Sequence, residues 1–441
     1  MTTATGAAMR RIQAGNALSA FGLGFTVPYL YVYVAQVRNL GAGTAGAVLA
    51  VFALAALVVL PFVGRVIDRR GPLPVLIGGS LLAAVGAFAL GLSGNVPAVV
   101  LSASLLGAGT AVLQPALATM IVWCSTPATR TRAFATQFFL ANLGLGVGGL
   151  IGGQLIDTDR PGSFLLLFSI EAAMFLVLAA VAGSVRMPRP GGIGSVGTAA
   201  PASAGRRSGM RVLLRDRAMV RLCVLGFVLF FACYGQFESG LAAYSTEAAG
   251  LDPSMLGIAL AANTAVIVLA QFVVLRLVEP LKRSRVIAAV GLIWAFAWLL
   301  AGYAGLGYGS ATLATAALIS TYALFGLGEA MLSPTVAPLV ADLAPPSMIG
   351  QYNSGFALVK QLALAVGPAV GGPMGASLHA PYIVTFVLFS LGITVLALRL
   401  GRLLTPVQDQ PSLLTAGSRV VARHAPDAVA TVGPERQRSV R

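Results

Sequence analysis

Apolar runs of about 20 residues recur from one end of the chain to the other, each closed by a short polar or Gly/Pro-containing stretch. A helix of about 20 apolar residues spans the hydrocarbon layer of a bilayer. No water reaches the backbone there, so only helices and closed barrels can satisfy their peptide groups. Barrel strands alternate polar and apolar positions, whereas these runs are continuous, which selects helices. The pattern predicts twelve spans at 12–37, 43–64, 73–92, 97–123, 131–156, 163–185, 219–246, 252–279, 285–307, 309–341, 349–377 and 381–404.

Composition agrees with that picture. Of 441 residues, 57% are apolar and 10% charged, with a mean hydropathy of +0.87; a soluble chain carries about a quarter charged residues. A net charge of +15 invites a nucleic-acid reading, but its placement argues against one. Arg38 and Arg160 stand in loops on one side of the predicted membrane. Arg10, Arg11, Arg65, Arg69, Arg70, Arg130, Arg132, the run from Arg186 to Arg221, Lys282, Arg283, Arg285 and the tail arginines stand on the other. This is the positive-inside pattern, which predicts both termini in the cytoplasm of a cell (inner) membrane. Cys124, Cys223, Cys233, His379 and His424 show no ligand spacing, so neither a disulfide framework, a metal site nor a cofactor is expected. No cleavage pattern precedes the first span, which is therefore expected to be retained.

Pro188, Pro190, Gly191 and Gly192 open a Gly/Ser/Ala stretch that ends in Arg206, Arg207, Arg211, Arg215 and Arg217. Such a segment buries little apolar area and is expected to be a flexible linker. The predicted organisation is a six-helix bundle over 1–185, a basic linker over 186–218, a second six-helix bundle over 219–404 and a disordered tail over 405–441. The bundles read as repeats. At an offset of 219, Leu105, Gly107, Gly109, Ala111, Leu113, Pro115 and Pro127 match Leu324, Gly326, Gly328, Ala330, Leu332, Pro334 and Pro346; Gly148, Gly152 and Gly153 match Gly367, Gly371 and Gly372. An offset of 211 aligns Leu40, Gly46, Leu49 and Ala50 with Leu251, Gly257, Leu260 and Ala261. Two parallel repeats of this size suit a transporter that rocks one bundle against the other around a midplane site.

After the second span come Gly64, Asp68, Arg69, Arg70 and Gly71. Gly64 permits close packing, Gly71 a tight turn, and Asp68 suits a helix N-terminus. This segment resembles the cytoplasmic signature of the major facilitator superfamily, with Pro72 and Leu73 where basic residues are usual; Glu279 is what remains of a second copy. The resemblance implies that Asp68 and Arg69 help latch the cytoplasmic side. Gly144, Gly148, Gly149, Gly152 and Gly153 in span 5 resemble the signature of the drug–proton antiporters of that superfamily, with Gly149 in place of a proline. The span 11 copy keeps Gly367, Pro368, Gly371 and Gly372. Span 4 lacks the intramembrane arginine of many antiporters. The resemblance implies an all-α fold of two pseudo-symmetric six-helix bundles, with spans 1, 4, 7 and 10 lining the cavity.

Ionisable groups inside a membrane are expensive and functional by default. Glu238 in span 7, Glu329 in span 10 and Lys360 in span 11 are the proton-coupling candidates, with Glu171 in span 6 as a weaker one. A carboxyl group in low dielectric holds its proton, and a nearby cation opposes this, so proton and solute can compete. A structural Glu329–Lys360 pair is the plain alternative. Tyr29, Thr110, Gln114, Asn142, Tyr234, Gln236, Tyr322, Phe325 and Gln361 are the solute-cavity candidates, because aromatics beside amides suit an amphipathic or cationic organic solute. Phe25, Tyr29 and Tyr33 follow at four-residue steps, with Pro28 loosening span 1.

These readings predict proton-coupled efflux of a drug-like compound by alternating access, with a small solute, protons and the lipid bilayer as partners, and neither nucleic acid nor an obligate protein partner. Proton-coupled import of a sugar, peptide or metabolite is the near alternative. A non-transporting receptor or membrane enzyme stands further off, since neither a nucleotide-binding loop nor a clustered nucleophile, base or metal set is visible.

Overall fold

The computed structural model describes residues 3–26, 29–157, 160–187, 209–237, 239–252, 254–306 and 310–414. Within them the chain is helical, and ten helices are long and apolar enough to cross a membrane, with a bent first pair as an eleventh. Span 1 runs Thr3–Thr26 and resumes at Leu30–Val32 before the wider turn Tyr33–Val37. Spans 2 to 6 are Gly41–Arg70, Pro72–Leu92, Val96–Trp123, Pro127–Leu155 and Pro161–Gly183. Span 7 is broken into Arg217–Ala232 and Gly240–Glu247. Ser254–Val278 and Arg283–Ala304 form spans 8 and 9, and span 10 is divided into Ala311–Leu332 and Val336–Leu343. Ile349–Ser377 and His379–Gly401 complete twelve crossings in two sets of six.

Local sequence sets the ends of these helices. Pro72, Pro97, Pro127 and Pro161 stand in first turns, where a missing N–H is harmless. Asn95 caps span 4 by accepting from the Ala98 N–H at 3.0 Å, and Thr126 with Thr129 forms a reciprocal capping box on span 5. Gly71 turns the chain from span 2 to span 3 at φ +85°, which a side chain would oppose.

Each half has its own core. In the N-terminal half small residues bring backbones together: a β-carbon at Gly24 would lie 2.7 Å from the Gly149 nitrogen, and one at Gly148 would strike Phe21 and Gly24. The C-terminal half has similar glycine approaches, such as Gly367 against Gly235, and adds a large ring cluster. Trp298 lies 5.4 Å from Phe325, 5.4 Å from Tyr382 and 4.9 Å from Phe386, between ring centroids, and all four are fully buried.

Two expectations are corrected here. The tail does not begin at 405: Thr405 and Gln408 cap the short helix Pro406–Asp409, and Asp409 is buried, accepting from the Ser284 N–H at 2.8 Å and the Ser284 hydroxyl at 2.9 Å. The first turn of span 9 needs acceptors for its free N–H groups, and this carboxylate supplies one. In the linker, Gly209–Arg215 forms a helix, with Asp216 capping span 7 through Ala218 and Met219. Residues 188–208 and 415–441, the rest of the predicted linker and tail, lie outside the described residues.

Candidate functional site

The halves are tied together at the arginine-rich end. Asp68, at the end of span 2, accepts from the Gly350 N–H at 2.7 Å and from the Gln351 N–H and side-chain amide at 3.1 and 2.9 Å. These are first-turn donors of span 11, where the helix dipole favours an anion. Gly64 makes room for this contact, since a β-carbon there would lie 2.6 Å from Gln351 Cα. Ser354 donates to the Leu60 carbonyl, and Asn353 reaches the Thr119 hydroxyl at 3.4 Å.

A second set of ties involves charge. Asp342 of span 10 lies between Arg130 of span 5 and Arg283 of span 9, 2.7 Å from the latter; Arg283 also donates to Thr131 at 3.3 Å and to the Gln408 carbonyl at 3.0 Å. Arg132 grips Glu279 at 2.9 Å. Every hydrogen bond or ion pair between the halves named here sits at this one end, so the molecule is closed on its basic side. Arg69, named with Asp68 in the sequence motif, is exposed.

Further along, spans 7, 8, 10 and 11 converge on Glu329, which is 3% exposed. Its Oε1 accepts from Asn263 Nδ2 at 2.9 Å, and Tyr234 lies nearby. Asn263 also donates to the Tyr322 carbonyl at 3.3 Å, so one amide fixes span 8 against span 10. Lys360 feels the field of Glu329 without closing an ion pair; its ammonium stands 5.0 Å from the Phe230 ring centroid and 6.0 Å from that of Tyr234. The plain Glu329–Lys360 salt bridge is therefore absent among the described residues. Glu238 lies outside them.

The solute-cavity candidates stand in different surroundings. Gln236 is fully buried and pins the broken span 7: it donates to the Phe231 carbonyl at 3.0 Å and accepts from the Tyr382 hydroxyl at 3.1 Å. A break frees backbone carbonyls, and this amide answers one of them. Phe325 is enclosed by Trp294, Trp298 and Phe237, and Tyr322 is buried with its hydroxyl on the Phe237 carbonyl at 2.7 Å. All three are buried and engaged within the C-terminal half. Tyr29 donates to the Gly149 carbonyl at 2.7 Å and packs beside Gly152 and Gly153. Thr110 and Asn142 bond back to their own helices, through Leu106 and Phe138. Tyr234 and Gln361 are half-buried and Gln114 is exposed. Of the packing glycines, Gly148, Gly367 and Gly371 meet backbone or Gln236 closely, while Gly372 meets nothing and Pro368 is exposed.

Glu171 is fully buried away from this centre, where it accepts from Thr26 and leaves Oε1 without a partner. Sequence reasoning missed Asn263, whose signal is an amide amid an apolar run, and the Asp342 cluster, whose arginines look like topology signals alone.

The model of the Major Facilitator Superfamily matches residues 14–301 and 241–426. The multidrug resistance protein MdtH of Aeromonas hydrophila is 28% identical over 355 residues, covering 76% of this chain and 80% of that protein. The uncharacterized MFS-type transporter YdeE of Escherichia coli is 23% identical over 378 residues, 83% and 88% of the two chains. Among solved structures, the MFS transporter FucP in its outward conformation superposes with a TM-score of 0.72 at 16% identity, covering 90% of this chain and 98% of that one. The helical architecture, the segment of matching signature and the family model agree: the chain is a multi-pass membrane transporter rather than an enzyme, and it belongs to the Major Facilitator Superfamily.

Proposed function

We propose that this transporter exports an amphipathic, drug-like solute in exchange for protons, with the basic side facing the cytoplasm. The observation that carries the reading is the Glu329 centre: a carboxyl group almost sealed from solvent, hydrogen-bonded to Asn263, with Lys360 near enough to feel its charge but unpaired. Protonation of Glu329 removes its hold on Lys360, and a solute that interacts with Lys360 changes the cost of ionising Glu329. That reciprocity is what coupling requires. Closure at the arginine-rich end alone supports a state open to the far side, from which protons would enter. Asp68 and the Asp342 cluster release the basic end when the bundles rock, with residues 1–185 and 219–404 as the moving bodies. The multidrug names of relatives such as MdtH support export over import.

The test is dye uptake into inverted vesicles acidified inside. An exporter concentrates the dye, and Glu329→Gln, which keeps the Asn263 contact but carries no titratable proton, abolishes gradient-driven accumulation while leaving solute exchange. Unchanged proton flux in a folded Glu329→Gln protein would remove Glu329 from the mechanism.

A further inference from the structure

Among the described residues, the accessible ionisable group at the centre is the amine of Lys360. Glu329 is 3% exposed and its Oε1 is occupied by Asn263, so it presents little to a solute. Lys360 is half-buried, and among the described residues its ammonium meets only ring faces and the distant field of Glu329. An ammonium has three N–H donors, and inside a membrane such a group needs an anion or acceptors.

Helical register says which way it faces. Lys360 lies seven residues after Asn353, hence on the same stripe of span 11 about two turns on. Asn353 meets Thr119 of span 4, so this stripe is the one turned toward the opposite half. Lys360 thus stands beyond the closed latch, on the face where the bundles separate. Beside it are the rings of Phe230 and Tyr234, 5.1 Å apart between centroids.

We infer that Lys360 is the specificity-determining anchor for an acidic solute: an aromatic body carrying a carboxylate or sulfonate, its anion on the ammonium and its apolar part against Phe230 and Tyr234. The inference rests on the reading that solute occupies the space between the halves, and it replaces the cationic solute expected from aromatics alone. The ring faces beside the ammonium are weak partners compared with an anion, so an incoming carboxylate gains a charge-assisted bond without first breaking a salt bridge. A neutral or cationic analogue has no such gain.

The test is equilibrium binding to the purified protein in nanodiscs, without any gradient, using one fluorophore in three charge states: dansylglycine, dansylamide and dansylcadaverine. Dansylglycine is expected to bind saturably and tightest. Lys360→Met should weaken it by at least about tenfold, the loss of one charge-assisted hydrogen bond, and leave dansylamide unchanged. Lys360→Arg, which keeps the charge, should restore most of the affinity and shows that the effect is electrostatic rather than a failure to fold. The inference is overturned if dansylglycine shows no saturable binding, binds no tighter than its neutral or cationic analogues, or is indifferent to Lys360→Met. Dansylglycine binding that persists where vesicle accumulation fails would count against gradient-driven export alone.

Discussion

Replacing Asp68 with Asn tests how the basic end is held shut. The wild-type carboxylate receives three donors, from Gly350 and Gln351, at the positive end of a long helix. Asn keeps one acceptor oxygen in nearly the same shape, loses the charge, and turns an NH2 toward N–H groups. Hydrogen bonds to a charged group are each worth about 1.5–3 kcal/mol, and the helix-end interaction adds about 0.3–1 kcal/mol. Because Asn recovers part of this, a net loss of about 2 kcal/mol is expected, which shifts the ratio of closed to open basic ends by about 30-fold. Spin labels at Arg70→Cys and Ser347→Cys, both exposed positions flanking the latch, report that ratio as a distance distribution. The wild type should show one short distance, and Asp68→Asn should add a longer one. Gln351→Ala removes only one of the three bonds and should move the ratio less. Gly64→Val, which pushes a side chain into the Gln351 backbone, should move it in the same direction as Asp68→Asn. An unchanged distribution in Asp68→Asn refutes the latch.

The other predictions concern packing and charge. Asp342→Asn leaves Arg130 and Arg283 facing each other with Asp342 only 11% and Arg283 only 3% exposed at the side chain, so thermal unfolding should reveal a loss of about 3–5 kcal/mol; a loss below about 1 kcal/mol contradicts a buried charge centre. Gln236→Leu should cost about 2–3 kcal/mol of stability through its lost bonds to Phe231 and Tyr382 while leaving the solute range unaltered. A changed solute profile would return Gln236 to the binding surface. Gly148→Val should abolish folded yield because its side chain meets Phe21 and Gly24, whereas Gly372→Ala, with open space around it, should stay within about 0.5 kcal/mol of wild type.

The architecture was legible because lipid leaves so few choices: a continuous apolar run must be a helix, and arginine placement sorts the loops. The contact that Asp68 makes with span 11 was foreshadowed by Gly64, Asp68 and Gly71, whose chemistry is local. The breaks in spans 7 and 10 were not, since the run from Arg217 to Glu247 is apolar enough to read as one helix, and only the structure shows Gln236 serving the freed carbonyls. Burial was the other blind spot. Tyr322 and Phe325 share a helical face with Glu329, yet Phe325 packs against Trp294 and Trp298 and Tyr322 against Phe237, which a single-helix pattern cannot reveal. Asp342 and Arg130 lie 212 positions apart, beyond any spacing argument.

The short helix after span 12 docks on the same charged cluster that joins the halves. Gln408 feeds a carbonyl to Arg283 and Asp409 clamps the first turn of span 9, so two residues beyond the last crossing brace the cation that grips Asp342. Trimming the protein at 404 should therefore weaken the hold of Arg283 on Asp342 from a distance, without touching either residue.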